Sequence, residues 1–417
     1  MLNFRTFAFF FLIAFSYMAY TQELKKDSVY FSHGLEVFNR VKEVCDIDNG
    51  KLLGFYYYCP LMLVDRESRV VLSNTSLAFS DNAPLKGIYY GTLPEKYLIA
   101  NTAISIDSTL YSCVSIADTI RLDDRMIEVC LHEMCHYWVN KNNIHLSYNN
   151  EHIDNVLART YFILEMRALQ NALLSTGKEE EQEQAILDAL TFRKQRNLLF
   201  PKQIEDENKF EFDEGFPDFV AYTLFYSNKD SLKKKLFDVI EEQIDKKSFY
   251  RTFGYVTGAV YAHFIRDFES YRTTVFQNLN IVSTMMQSRN IKTIPDTVSI
   301  RCKDIYNFEQ VKHYQDSLEQ HHLYVLDSIK YRLKHGAKIM IKSEQYTNIG
   351  IGLDGMFAID TLGTYFSLLQ VIGDFGWLKT EHGAMHNDDG ILIFIDNSIS
   401  KRKKTIEKAF DISFNKG

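Results

Sequence analysis

Beyond its first 21 residues the 417-residue chain has no run of eighteen uninterrupted apolar residues, so no later segment is built to cross a bilayer as a helix. It also lacks a basic excess. Lys and Arg number 47 against 54 Asp and Glu, a formal net charge of −7, which leaves no electrostatic footprint for nucleic acid or for an anionic membrane. The short basic runs Lys233–Lys235 and Lys401–Lys404 read as solvated faces. No C-x-x-C occurs, so neither a cysteine zinc site nor a thioredoxin-type motif is supported, and no repeat of fixed period or low-complexity tract stands out.

What is present begins with six cysteines, Cys45, Cys59, Cys113, Cys130, Cys135 and Cys302, an even number that permits bridges without announcing any. Cys130 and Cys135 are five apart and point to different faces of one expected helix, so they read as small buried hydrophobes and not as a pair. At the N-terminus, Arg5 precedes the apolar run Phe7 to Phe15, and small and polar residues lead to Gln22. That pattern predicts an export signal over 1–21, cleaved after Thr21, with an uncleaved anchor as the alternative. The mature chain is therefore expected outside the cytoplasm, periplasmic or secreted, with no membrane span.

Length alone suggests two or three domains. Helical spacing over 28–45 gives way to short runs rich in β-branched and aromatic residues at 55–64, 69–73, 86–91 and 97–106, which read as strands. From 124 to about 275 the spacing is helical almost throughout, over 151–175, 183–199, 214–226, 231–245 and 253–269, with Gly177 to Gln184 as an exposed turn. A sheet followed by helices predicts an α+β fold. The expected divisions are a main domain over 22–285, a helical connector over 286–334 and a small β-rich C-terminal domain over 335–417.

The chemistry is concentrated at 129–138, Val-Cys-Leu-His-Glu-Met-Cys-His-Tyr-Trp. On a helix, His132 and His136 are one turn apart on the same face and can close on one Zn²⁺, while Glu133 points at a water activated on that ion. Asp123 or Asp124 can cap a helix running from Arg125 to Asn140, apolar over most of its circumference and so expected to be buried. Two histidines leave zinc short of a ligand. The strongest candidate for the third is Glu214, in Phe-Asp-Glu-Gly-Phe-Pro-Asp-Phe-Val-Ala-Tyr (212–222), where Asp213 reads as a helix cap. Asp218, one turn on, is spaced to hold the second ring nitrogen of a metal-bound histidine. Glu151 and Glu165 compete with Glu214; otherwise Glu165 reads as a buried partner for Arg167 or Arg193.

With these residues the chain resembles the gluzincin class of zinc metallopeptidases, in which His-Glu-x-x-His is completed by a glutamate on a later helix. Glu214-Gly215-Phe216 is similar to the Asn-Glu-Gly-Phe segment of that class's aminopeptidases, and Glu214-x-x-x-Asp218 to the spacing in thermolysin-like enzymes. Tyr255-Val-Thr-Gly258-Ala259 is similar to the aminopeptidases' Tyr-x-x-Gly-Ala segment, a resemblance that implies Tyr255 as an oxyanion donor. The interval from His136 to Glu214 is longer than in either group. The position six after His136 is Asn142, where a metzincin would carry histidine, and Gly383-Ala384-Met385-His386-Asn387 falls after the metal helix and lacks the aminopeptidases' glutamate. Over roughly 60–270 the chain also looks like a group of bacterial proteins described only in general terms as metallopeptidases. That likeness takes in His152 and Asp154 as candidates to line the cleft, against a plain polar helix start.

The expectation is thus an exported zinc peptidase acting on a peptide or protein substrate. Glu133 would be the general base, His132, His136 and Glu214 the zinc ligands, Asp218 the support and Tyr255 the oxyanion donor. The alternatives are an inactive peptidase-like binding protein and a zinc amidohydrolase on a non-peptide substrate. Gly350-x-Gly352-x-x-Gly355 fits a dinucleotide fingerprint formally, but strand-like residues follow it, and His382 with His386 reads as turn residues sooner than a second metal site.

Overall fold

A computed structural model describes residues 29–80, 84–117, 119–246, 248–351, 357–359, 362–373, 375–380 and 383–395. The expected export segment lies outside them. The chain divides into two units, Met1–Phe308 and Glu309–Gly417, so the boundary falls inside the stretch expected as a connector. The fold is α+β, and among the described residues no helix is long and apolar enough to cross a membrane.

The first unit opens with helix α1 (residues 29–48) and a five-stranded sheet: β1 (Leu61–Asp65), β2 (Val70–Ser73), β3 (Tyr89–Thr92), β4 (Thr102–Ile106) and β5 (Thr109–Ile116), in the order β3-β2-β1-β5-β4. β1 pairs parallel with β5 and antiparallel with β2. The central β1 is buried along Leu61–Val64, the continuous apolar run of a strand covered on both faces. Met62 and Val64 pack with Val71, Ile106, Tyr111 and Cys113 on one side. On the other, α1 comes so close that a Cβ on Gly34 would lie 2.5 Å from the Leu72 side chain.

Strand β5 is absent from the expected strands. It is joined to β4 through Asp107 and Ser108, both with positive φ (45° and 69°), as a two-residue hairpin with the right twist requires. Asp-Ser is not the Asn-Gly or Asp-Gly pair that announces such a turn.

The helices follow: α2 (Asp124–Lys141), α3 (Val156–Leu174), α4 (Glu179–Leu199), α5 (Ile204–Phe210), α6 (Phe216–Phe225), α7 (Lys229–Ile244), α8 (Phe253–His263), α9 (Phe268–Asn278), α10 (Ile281–Ser288) and α11 (Ile300–Ile305). Glu179–Glu181, expected in an exposed turn, instead form the first turn of α4, where carboxylates complement the helix dipole. α2 lies on β4 and β5 and is tied to the sheet's leading segment, since Tyr57 Oη donates to Leu131 O at 2.7 Å and Trp138 Nε1 to Tyr57 O at 2.7 Å. The six cysteines are buried and unbridged.

The second unit carries α12 (Phe308–His335) and the strands β6 (Lys338–Lys342), β7 (Asn348–Ile351), β8 (Phe357–Ile359), β9 (Gly363–Phe366), β10 (Leu369–Gly373), β11 (Gly376–Lys379), β12 (Ala384–Asn387) and β13 (Gly390–Phe394). These form sheets ordered β11-β10-β7 and β6-β13-β12-β9-β8, antiparallel throughout. Gly350 lies within β7 and His386 within β12, its Nε2 3.1 Å from Tyr346 Oη; Gly352, Gly355 and His382 lie outside the described residues.

Candidate metal centre

The metal helix α2 starts where the sequence places it: Asp123 caps it by accepting from Met126 N at 3.0 Å. Two turns on, His132, Glu133 and His136 are all sheltered, with His132 7 % and Glu133 4 % exposed. The third candidate arrives differently from expectation. Helices α5 and α6 are one continuous helical rod interrupted by a π turn, Glu211–Gly215, in which Phe216 N reaches back five residues to Glu211 O. Pro217 accounts for the widening: it has no amide hydrogen to offer the Asp213 carbonyl, and its ring crowds that carbonyl out of α-helical register. Asp213 is therefore no cap. It sits inside the turn and accepts from Tyr148 Oη at 2.9 Å.

The π turn delivers Glu214 to the two histidines. His132 Nε2 and His136 Nε2 are 3.1 Å apart, and Glu214 Oε2 is 3.2 Å from the first and 3.5 Å from the second. Tetrahedral zinc with bonds of about 2.0–2.1 Å holds its ligands about 3.3 Å from one another, so this triangle has the dimensions of three corners of such a site. Two imidazoles and one carboxylate are also a donor set suited to zinc. Asp218 Oδ1 lies 2.7 Å from His132 Nδ1; a carboxylate only accepts, so Nδ1 carries a ring proton and Nε2 is the nitrogen that faces the other two ligands. Tyr222 Oη in turn lies 3.2 Å from Asp218 Oδ2.

The electrostatics follow from burial among opposed charges. Burial works against the charged form of Glu214, but hydrogen bonds with His132 and His136 outweigh it and hold the carboxyl at about 2. Glu133 is different. Burial raises its carboxyl above the ordinary value against the pull of both histidines, and its Oε2 is buried with no hydrogen-bond partner. A sheltered carboxylate oxygen facing His136 at 4.0 Å, with no partner of its own, is placed to accept a proton. Tyr255 stacks on His132 with centroids 5.8 Å apart, beside the Glu214 carboxylate. Burial, then the Glu214 charge, raise its hydroxyl far above the ordinary phenol value, so it is a donor and not a phenolate.

The competing carboxylates are committed elsewhere. Glu165 is fully buried and takes Tyr261 Oη at 2.8 Å, Arg193 at 3.2 Å and Arg196. Glu151 is exposed at the head of a 3₁₀ turn, Glu151–Asp154. His152 and Asp154 do not join the ligand cluster. His152 Nε2 is 2.7 Å from Glu207, and Asp154 accepts from Phe249 N at 2.7 Å, fixing the segment that leads into α8.

Glycines set how closely α8 approaches. A Cβ on Gly215 would lie 2.3 Å from Gly254 O, and one on Gly258 would lie 2.4 Å from Glu211 O and 2.8 Å from Gly215 Cα. The π turn and α8 thus touch backbone to backbone, and Glu214 and Tyr255, each next to one of these glycines, are brought close to one another. The resemblance behind Tyr255 includes Gly258; the use of that glycine is visible only in three dimensions. The chain matches no protein-family model, no curated protein and no solved structure among those compared.

Proposed function

We propose that the protein is a zinc-dependent metallopeptidase, exported from the cytoplasm, with His132, His136 and Glu214 as zinc ligands. The observation that carries this reading is the donor triangle with edges of 3.1–3.5 Å beside the unpartnered buried oxygen of Glu133. The gluzincin resemblance of the same residues supports it. A zinc ion held there supplies a Lewis acid for the scissile carbonyl and a water of lowered pKa.

The chain's own groups do the rest. Glu133 Oε2 takes the proton from the attacking water and hands it to the leaving amine. Tyr255 Oη, held protonated beside Glu214, donates to the oxyanion that develops on the carbonyl. Asp218 keeps His132 in the tautomer that exposes Nε2. An extended peptide has a place to lie: β4 is the last strand of its sheet, packs beside α2 and offers an edge for strand addition.

The test is zinc content of the purified protein together with products released from a mixed peptide library, for wild type and Glu133→Gln. Zinc near one per chain in both, with cleavage by wild type alone, is expected. Zinc without cleavage would move the substrate away from peptides, and a wild type that takes up no zinc would leave a non-catalytic scaffold.

A further inference from the structure

Behind the π turn lies a cluster of charge sealed from water. Arg193 and Arg196 on α4 face Glu165 on α3, Glu207 on α5 and Glu211 in the turn itself, and all five side chains are at most 5 % exposed. The Arg193 guanidinium grips Glu211 with both prongs, Nη1 to Oε1 at 2.8 Å and Nη2 to Oε2 at 2.5 Å, and Thr257 Oγ1 on α8 donates to the same carboxylate. Arg196 takes Glu207 in the same way, Nε to Oε1 at 3.0 Å and Nη2 to Oε2 at 2.7 Å. Charges this deep are costly, and neither arginine reaches the ligand triangle.

Geometry gives the cluster a task. Glu211 and Glu214 are three residues apart, which on an α-helix sets them about 60° apart around the axis. At the roughly 4.4 residues per turn that five-residue hydrogen bonds impose, they diverge by about 115°. Glu211 can then point into the charged cluster while Glu214 points at the histidines. The Glu211 carbonyl closes the widened turn through Phe216 N, and α8 presses on that carbonyl at Gly258. The fork from Arg193 grips the side chain of the residue whose backbone defines the turn.

We propose that Arg193 and Glu211 are positioning residues of the metal centre, their buried fork holding the π turn open so that Glu214 meets His132 and His136. Substitution at either residue changes how the site holds metal without touching a ligand.

The experiment is a zinc affinity measurement by chelator competition at pH 8 on the full chain, for wild type, Arg193→Lys and Glu211→Gln. It is paired with the visible spectrum of the Co²⁺-loaded proteins and the unfolding midpoint of the metal-free ones. Arg193→Lys keeps the charge and loses the fork; Glu211→Gln keeps the shape and loses the charge. Both are expected to bind zinc at least tenfold more weakly and to give an altered Co²⁺ spectrum, with metal-free Glu211→Gln melting no lower than wild type. Thr257→Val, a milder change to the same carboxylate, should shift affinity in the same direction by less, and decides the matter if Arg193→Lys does not fold. Folded variants that bind zinc within twofold of wild type with an unchanged Co²⁺ spectrum would overturn the proposal, whatever their stability. The inference rests on the metal-site reading: a wild type that binds neither Zn²⁺ nor Co²⁺ takes both down, whereas a metal-binding wild type with indifferent variants removes positioning alone.

Discussion

Asp218 acts on the metal centre only through His132. Its carboxylate fixes one tautomer, at 2.7 Å from Nδ1, and Tyr222 steadies the other oxygen. Asp218→Asn can present an amide hydrogen to Nδ1 and stabilise the wrong tautomer, so zinc affinity should fall by about 10–100-fold, measured by chelator competition. A change within twofold would show that His132 is oriented by packing alone. Tyr255→Phe tests a different step. Loss of one oxyanion donor should lower kcat by about 100-fold or more while zinc content stays at the wild-type level. A fall in zinc content instead would assign the hydroxyl to holding Glu214. At this scale the sequence was informative, because His132, Glu133 and His136 depend only on helical spacing and Asp218 only on its distance from Glu214. Asp213 was misread for a physical reason: an acidic residue before an apolar run has the pattern of a cap, and only the rod already running from Ile204 shows that no helix starts there.

At the scale of elements, the contact that matters is between the π turn and α8. Both atoms that a Cβ on Gly258 would strike, Glu211 O at 2.4 Å and Gly215 Cα at 2.8 Å, are backbone, so no side-chain rotation can make room. Gly258→Ala should therefore cost about 3 kcal/mol or more in unfolding free energy, and folded protein should show weakened zinc binding because Glu214 moves with the turn. A denaturant midpoint unchanged from wild type would mean that the two elements separate freely. Pro217 was the one legible mark of the turn, standing in the first turn of a helix expected over 214–226. Proline there is equally at home in an ordinary first turn, so it could not by itself announce a wider helix. Strand β5 was missed in the same way, since the hairpin before it turns on Asp107-Ser108 in place of glycine.

At the scale of the whole molecule, the buried cluster gathers more carboxylates than guanidiniums. Three carboxylates, Glu165, Glu207 and Glu211, face two guanidiniums, with His152 Nε2 2.7 Å from Glu207, so the carboxylates outnumber the permanent cations by one. Pairwise distances make Arg193–Glu211 look like a simple ion pair, yet burial pushes Glu211 up to about 7, with Glu165 and Glu207 adding to it against Arg193. Burial and the neighbouring carboxylates thus favour a proton on Glu211 despite the fork from Arg193. Sequence showed only one edge of this, the buried pairing of Glu165 with Arg193, since nothing in the spacing of the other three says that the same pocket holds them. The stability consequence has a definite sign. Between the ordinary carboxyl value of 4.5 and about 7, folded Glu211 is protonated while the unfolded chain's is not, so folding takes up a proton and stability declines as pH rises through this window. The full shift corresponds to about 3 kcal/mol. Glu207 does not mask the effect: although burial opposes it, Arg196 holds its carboxyl far below the usual range, and its contribution is lost only in stronger acid. Unfolding by denaturant, followed from pH 5 to pH 8 with a chelator present, should show wild type losing about 3 kcal/mol relative to Glu211→Gln, with no further divergence above pH 8. Parallel pH profiles for the two proteins would mean that Glu211 stays ionised in the folded cluster across this window.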